Sequence, residues 1–262
     1  MIRYWMHCTT AELAEMDKSN ALVVVPIGAV EQHGAHLPVG TDSLILGKLL
    51  ELLAERADFP GHTVLIAPLL PVGKSNEHAD FAGTISFSTR TAAAMLTDYC
   101  ASIRRHGFDR FIFINSHGGN TDLLNVLARD LRIELDAEFF VFDWWFTTFW
   151  NDILAEVQQS GDYGVFHACE LETSLMLAIR PDLVDMAKAE DEYPDPHLTE
   201  GPHVSIKGPI IPGWKTQDVS RKGVIGAPSF ATAAKGGQFL DYAAAKLGEM
   251  LAQVLKTRYR KT

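Results

Sequence analysis

Residues 21–27 read ALVVVPI, a run with no charged side chain and no alternation. A strand with one wet face alternates apolar and polar positions, so an unbroken run predicts a strand covered on both faces. Residues 110–115 (RFIFIN) and 138–143 (EFFVFD) have unbroken apolar centres, FIFI and FFVF, with polar or charged residues only at their ends, and 62–68 form a weaker fourth run. Between these runs the period changes. Residues 43–57 carry Leu44, Leu46, Leu49, Leu50, Leu53 and Ala54 at helical spacing, and helices are also predicted over 90–106, 121–135, 169–179 and 236–258. A shorter helix is expected over 9–19, capped by Thr9 or Thr10, with Glu12 in its first turn. Strands that alternate with helices predict an α/β fold: a mainly parallel sheet between two helical layers, a three-layer αβα sandwich. Residues 187–227 break the pattern. They are rich in Pro, Gly and charge and have no clear period, which predicts a functional loop, a lid or an oligomer arm. Neither a repeat nor a linker divides the chain, so one domain over 1–262 is expected.

Composition narrows the function classes. The formal net charge is −10. A phosphate-neutralising surface needs the opposite sign, so nucleic acid is not an expected partner; a small molecule is. The three cysteines, Cys8, Cys100 and Cys169, are scattered and form no CxxC pair, which points away from a disulfide framework and fits a reducing cytoplasm. No apolar run approaches the roughly 18 residues of a membrane span, and the first residues, with Arg3, His7 and Glu12, do not read as a signal peptide.

The candidate chemistry sits where the strand runs end. In open α/β sheets ligands bind outside the carboxyl ends of the strands. Directly after the first run come Glu31 and His33, then Asp42. A carboxylate, an imidazole and a second carboxylate form a mixed N/O set that suits Zn²⁺, Mn²⁺ or Fe²⁺; a capped turn with solvated charges is the plainer alternative. After RFIFIN comes Ser116-His117-Gly118-Gly119-Asn120, where the glycines permit close backbone approach and the following helix N-terminus favours a polarised oxygen. In HACELETS, Glu172 shares its helical face with Leu175, Met176 and Ile179, so it is expected to point inward, bound to a metal or paired with an arginine. Glu170 falls on the face of Thr173 and Ser174 and is the weaker candidate. His167, just before this helix, is a candidate proton shuttle. Ser75, Glu77 and His78 follow the 62–68 strand and are expected to line a substrate pocket. Trp144, Trp145 and Trp150 could form an aromatic wall or pack in the core.

Taken together, PIGAVEQHGAHLPVGTD (26–42), GKSNEHADFAGT (73–84), NSHGGN (115–120), HACELETSLML (167–177), RPDLVD (180–185) and GVIGAPSFATAAKG (223–236) resemble the creatininase family of creatinine amidohydrolases. The resemblance spans most of the chain. It implies an αβα sandwich, a homohexamer, and two divalent metal ions (Zn, Mn or Fe) per subunit. It also implies that Asp42 bridges the metals, that Glu31 and His117 hold one and His33 the other, and that His167 lies beside the substrate. Creatinine-hydrolysing members carry a metal-binding glutamate two residues after the His117 position. Here that residue is Gly119, and Glu172 is expected to complete the second site and to act in catalysis. Gly118 stands where those members have a tyrosine, and Tyr163 and Gly164 where they have a tryptophan and an aspartate; Trp145 matches another pocket tryptophan. These changes argue against creatinine. With Ser75, Glu77, His78 and Glu170, residues Gly118, Gly119, Trp145 and Tyr163 make up the expected substrate pocket. The HGGN form resembles a broader branch that includes formamidopyrimidine deformylase-type enzymes, a mycofactocin-maturation peptidase and inosose-type ring hydrolases. The expected reaction is hydrolysis of a non-peptide C–N bond. A ring hydrolase, creatinine/creatine interconversion and a non-catalytic metabolite-binding protein are the alternatives.

Overall fold

The computed structural model describes residues 1–145 and 148–259. In chain order the elements are β1 (Ile2–Tyr4), α1 (Thr10–Glu15), β2 (Ala21–Ile27), α2 (Thr41–Arg56), β3 (Thr63–Ile66), α3 (Thr89–Arg104), β4 (Arg110–Asn115), α4 (Thr121–Glu134) and β5 (Glu138–Asp143). They continue as α5 (Asn151–Val157), β6 (Val165–His167), α6 (Glu170–Ile179), α7 (Pro196–Thr199), α8 (Thr216–Val219), β7 (Ile225–Gly226) and α9 (Ala233–Lys256). Five strands form one sheet in the order β1-β3-β2-β4-β5, with every pairing parallel.

The unbroken apolar runs are explained by burial on both faces. Leu22 and Val24 of β2 pack with α2, α6 and α9 in one core. Ala21, Val23, Val25 and Ile27 pack with α3 and α4 in the other. From β2 the chain crosses over one face through α2 to reach β3; from β4 it crosses the opposite face through α4 to reach β5. The carboxyl ends of the neighbouring strands β2 and β4 therefore open onto a crevice at a topological switch point. Where α6 crosses α9, a Cβ on Gly236 would lie 1.9 Å from the Ser174 carbonyl oxygen, so glycine sets the depth of that contact.

β4 and β5 have the bounds expected from sequence. Helix α1 stops at Glu15, short of the expected 19, because Ser19 and Asn20 donate to the Asp17 carboxylate and close a local turn. Helix α9 begins three residues earlier than expected, where Thr232 accepts from the Lys235 amide. β1, α5 and the antiparallel β6–β7 pair carried no readable period. Residues 187–227 are tied back onto the body of the protein. Glu192 pairs with Gly226 through the backbone, and its carboxylate accepts from Ser220, Arg221 and Lys222.

Candidate metal centre

Four segments converge on the crevice. Glu31 and His33 lie in the loop leaving β2, and His117 in the turn leaving β4. Asp42 and Glu172 each occupy the first turn of a helix, α2 and α6, whose positive end favours a carboxylate. All five side chains are buried. Their ligand atoms form two triads, Glu31/Asp42/His117 and His33/Asp42/Glu172, each with its atoms within 4.8 Å of one another. Asp42 belongs to both. His117 Nδ1 is 3.0 Å from Glu31 Oε2 and 3.9 Å from Asp42 Oδ2. His33 Nε2 is 3.5 Å from Glu172 Oε1, 3.9 Å from Asp42 Oδ1 and 3.9 Å from Glu31 Oε1.

Backbone carbonyls orient the imidazoles. A carbonyl can only accept, so the ring nitrogen facing it carries the proton. His33 Nδ1 faces the Glu31 carbonyl at 3.1 Å, which turns Nε2 toward three carboxylates, where it carries a proton in the metal-free protein and would offer a lone pair to a cation. His117 Nε2 faces the Lys74 carbonyl at 3.0 Å, which leaves Nδ1 turned toward Glu31 and Asp42. His33 Nε2 and Asp42 Oδ2 are buried with no hydrogen-bond partner among the described residues, and Glu31 Oε2 has only the His117 and His78 ring nitrogens near it. Orphaned polar atoms that converge from separate segments cost free energy unless a cation satisfies them, and this O/N donor set fits a divalent ion.

The electrostatics follow from this crowding. Burial and the neighbouring Glu31 carboxylate hold the Asp42 carboxyl well above its ordinary range. Burial works against charge on His33 and His117 as well, but the facing carboxylates outweigh it: His33 is pushed up to about 10, chiefly by Asp42 and Glu172, and His117 well above the imidazole range, chiefly by Glu31. Protons on these imidazoles balance the carboxylates; a bound cation would take over that role, so its uptake releases protons. His167 is the opposite case. Burial, with His33 and His78 nearby, holds it well below the usual value and therefore neutral. Its Nε2 lies 2.9 Å from the Gln32 backbone carbonyl and 3.0 Å from the Gln32 side-chain amide nitrogen, and its Nδ1 lies 3.6 Å from Glu31 Oε1.

Of the expected pocket residues, Ser75, Glu77 and His78 approach the cluster. Ser75 Oγ and Glu77 Oε1 lie 3.1 and 3.2 Å from His117 Nε2. His78 Nε2 is 3.5 Å from Glu31 Oε2. Gly118 and Gly119 form the turn between His117 and α4. Trp145 donates from Nε1 to the Ser116 carbonyl at 2.9 Å and so stands beside the His117 turn, whereas Trp144 and Trp150 are buried in the core. Two expectations need correction. Glu170 does not face a pocket: it is fully buried, paired with Lys235 of α9, and accepts from the Gln159 and Ser160 amides, so it anchors α6. Tyr163 packs with Ile206, Val219 and Ile225 of the 187–227 segment, its ring 4.8 Å from the Lys207 ammonium. Sequence reasoning passed over Gln32, His36 and Thr216. Gln32 Nε2 and Thr216 Oγ1 lie 2.9 and 3.0 Å from His78 Nδ1, and His36 Nε2 lies 2.9 Å from Thr173 Oγ1. Gln32 and His36 fall inside the first motif, but Thr216 had no readable signal.

A family model described as "Creatininase: Creatinine amidohydrolase" matches residues 6–251. The chain is 32% identical over 236 residues to a mycofactocin precursor peptide peptidase of Mycobacterium ulcerans, covering 87% of this chain and 83% of that one. It is 26% identical over 257 residues to a 3-dehydro-scyllo-inosose hydrolase of Thermotoga maritima, covering 91% and 80%. A solved structure described as "Creatininase Mn" superposes with a TM-score of 0.76 at 23% identity, covering 97% of this chain and 99% of that one, and has the same fold.

Proposed function

Because the chain belongs to the creatininase family, we propose that it is a metal-dependent amidohydrolase that cleaves the C–N bond of a cyclic amide, lactam or formamide at a centre for two divalent ions. The observation that carries this reading is the sharing of Asp42 between two buried triads of converging ligand atoms, with His33 Nε2 and Asp42 Oδ2 unpartnered among the described residues. Glu31, Asp42 and His117 would hold one ion, and His33, Asp42 and Glu172 the other. When bound, such ions supply an activated water and polarise the substrate carbonyl. The rest of the chemistry falls to the chain's own side chains. Neutral His167, its proton held at Nε2 by the Gln32 carbonyl, can accept a proton at Nδ1 and return it to the leaving nitrogen. The amino end of α4 beyond Gly118 and Gly119 favours negative charge developing on the carbonyl oxygen. The buried walls keep the catalytic groups in a low dielectric, where fixed dipoles act strongly.

A second reading has support in the inosose hydrolase relative: the same side chains would act on a carbocyclic ketone, breaking a bond other than C–N. Elemental analysis of protein purified without chelator tests the centre. Two ions per subunit in the wild type, falling to one in Glu172→Ala, is the expected result, and one ion or none in the wild type would overturn it. A panel of creatinine, a lactam, a formamide, a short peptide and an inosose-type ketone separates the substrate classes.

A further inference from the structure

The loop that carries Lys74 and Glu77 makes an arrangement around His117 that a substrate-binding role does not explain. His117 Nε2 has three acceptors within reach: the Lys74 carbonyl at 3.0 Å, Ser75 Oγ at 3.1 Å and Glu77 Oε1 at 3.2 Å. The other Glu77 oxygen is held by Lys74 Nζ at 2.9 Å, so both carboxylate oxygens are engaged within the protein. The loop itself is pinned. The Lys74 amide donates to Asn120 Oδ1 at 2.8 Å, and Asn120 Nδ2 donates to the Gly28 carbonyl at 3.1 Å. The Ser75 amide donates to Ser86 Oγ at 2.7 Å. Gly119 leaves the room that this requires. A Cβ there would lie 2.0 Å from Glu77 Oε1, 2.4 Å from His117 Nε2 and 2.6 Å from the Lys74 carbonyl oxygen. A side chain at 119 and the Glu77 carboxylate would thus compete for one space.

We propose that Glu77 is a positioning residue: its carboxylate, fixed by Lys74 and admitted by Gly119, holds His117 by Nε2 so that Nδ1 faces Glu31 and Asp42. This inference rests on the metal-centre reading above. A carboxylate behind a ligating imidazole fixes the ring and raises its basicity, and loss of such a partner typically lowers metal affinity about 10–100-fold.

The test is competition of a chromophoric chelator for Zn²⁺ with the metal-free wild type, Glu77→Gln and Glu77→Ala, together with absorption spectra of the Co²⁺-loaded proteins. Glu77→Ala is expected to weaken one of two sites about 10–100-fold, leave the other unchanged, and alter the Co²⁺ ligand-field bands. Glu77→Gln keeps an acceptor of the same shape and should fall between wild type and alanine; it also carries the test if the alanine protein does not fold. A merely structural role would lower thermal stability without a site-selective change in affinity or spectrum, and that outcome overturns the proposal. So does a third Zn²⁺ in the wild type that is lost in Glu77→Ala, because Glu77 would then be a ligand itself, beside Glu31 and His78. A wild type that binds no ion overturns the metal-centre reading along with this one; two ions bound equally by wild type and both variants overturn this inference alone.

Discussion

Asp42→Asn should change stability in opposite directions with and without metal. In the metal-free protein Asp42 is buried against Glu31 and Glu172, and its carboxyl is held well above the usual range, first by burial and then by Glu31. A carboxyl whose folded-state pKa is raised contributes stability at low pH that is lost as pH rises from its unfolded value through the folded one. The near-isosteric amide carries no charge to bury. In chelator, the Asp42→Asn variant should therefore be at least as stable as the wild type at neutral pH, and its advantage should grow as pH rises. With metal the order reverses. Asp42 belongs to both triads, so its loss weakens two sites. Free ion at about 100 times its Kd stabilises a folded protein by about 2.7 kcal/mol per site, hence about 5 kcal/mol for two, and the variant forgoes most of this. Urea denaturation of both proteins, in chelator and in excess Zn²⁺ or Mn²⁺, measures all four values. A variant less stable than wild type in chelator, or metal stabilising both proteins equally, would refute the reasoning.

Other consequences follow from single contacts. His167→Ala should lower turnover of any amide substrate found by about 10²–10⁴-fold while elemental analysis still finds two ions. Lys235→Ala leaves the fully buried Glu170 carboxylate without its cation and should cost about 3 kcal/mol in urea denaturation. Burial opposes charge on Glu170, yet Lys235 and the Ser160 and Gln159 amides hold its carboxyl below the usual value; the wild-type pair therefore stabilises the fold above the unfolded pKa and loses that contribution as acid takes the pH down through the folded one. A pH series in which Lys235→Ala and wild type lose stability in parallel would contradict this. Trp145→Phe keeps an aromatic ring but removes the indole N–H that donates to the Ser116 carbonyl, at a cost of about 1 kcal/mol, with the effect concentrated on substrate turnover because the contact lies next to His117.

The layers of the fold were legible because burial on both faces leaves a simple mark: β2, β4 and β5 have unbroken apolar centres, with charge only at the ends of β4 and β5, and the helices between them have apolar stripes. β1 and the β6–β7 pair left no such mark, since segments of two or three residues are shorter than any period that could reveal them. At the site, residue type and position at strand ends were enough to bring Glu31, His33, Asp42 and His117 under suspicion, and helical spacing separated Glu172 from Glu170. The same spacing could not reveal what Glu170 does. Its partner Lys235 is 65 residues away on α9, and nothing local distinguishes a glutamate facing a ligand from one facing a lysine. Glu77 shows the complementary difficulty: its placement near the site was readable, but its engagement with His117 depends on the missing side chain of Gly119.

The 187–227 segment, which has no sequence period, turns out to reach the centre through a short chain of contacts. Thr216, fully buried at the start of α8, lies with its hydroxyl 3.0 Å from His78 Nδ1. His78 Nδ1 also faces the Gln32 side-chain amide, and the same amide nitrogen lies 3.0 Å from His167 Nε2. Around Thr216 the segment is fastened to the His78 loop by Lys215 on the Asp80 carboxylate and by Gln217 on the Asp80 carbonyl. A displacement of α8 would therefore first change the donor at His78, then the Gln32 side chain, and only then the general base. This ordering makes a distinction that a rigid support would not: Thr216→Val, which removes the hydroxyl and keeps the shape, should alter the pH dependence of turnover more than the metal content, since it touches the imidazole side of the cluster and neither of the Asp42 triads.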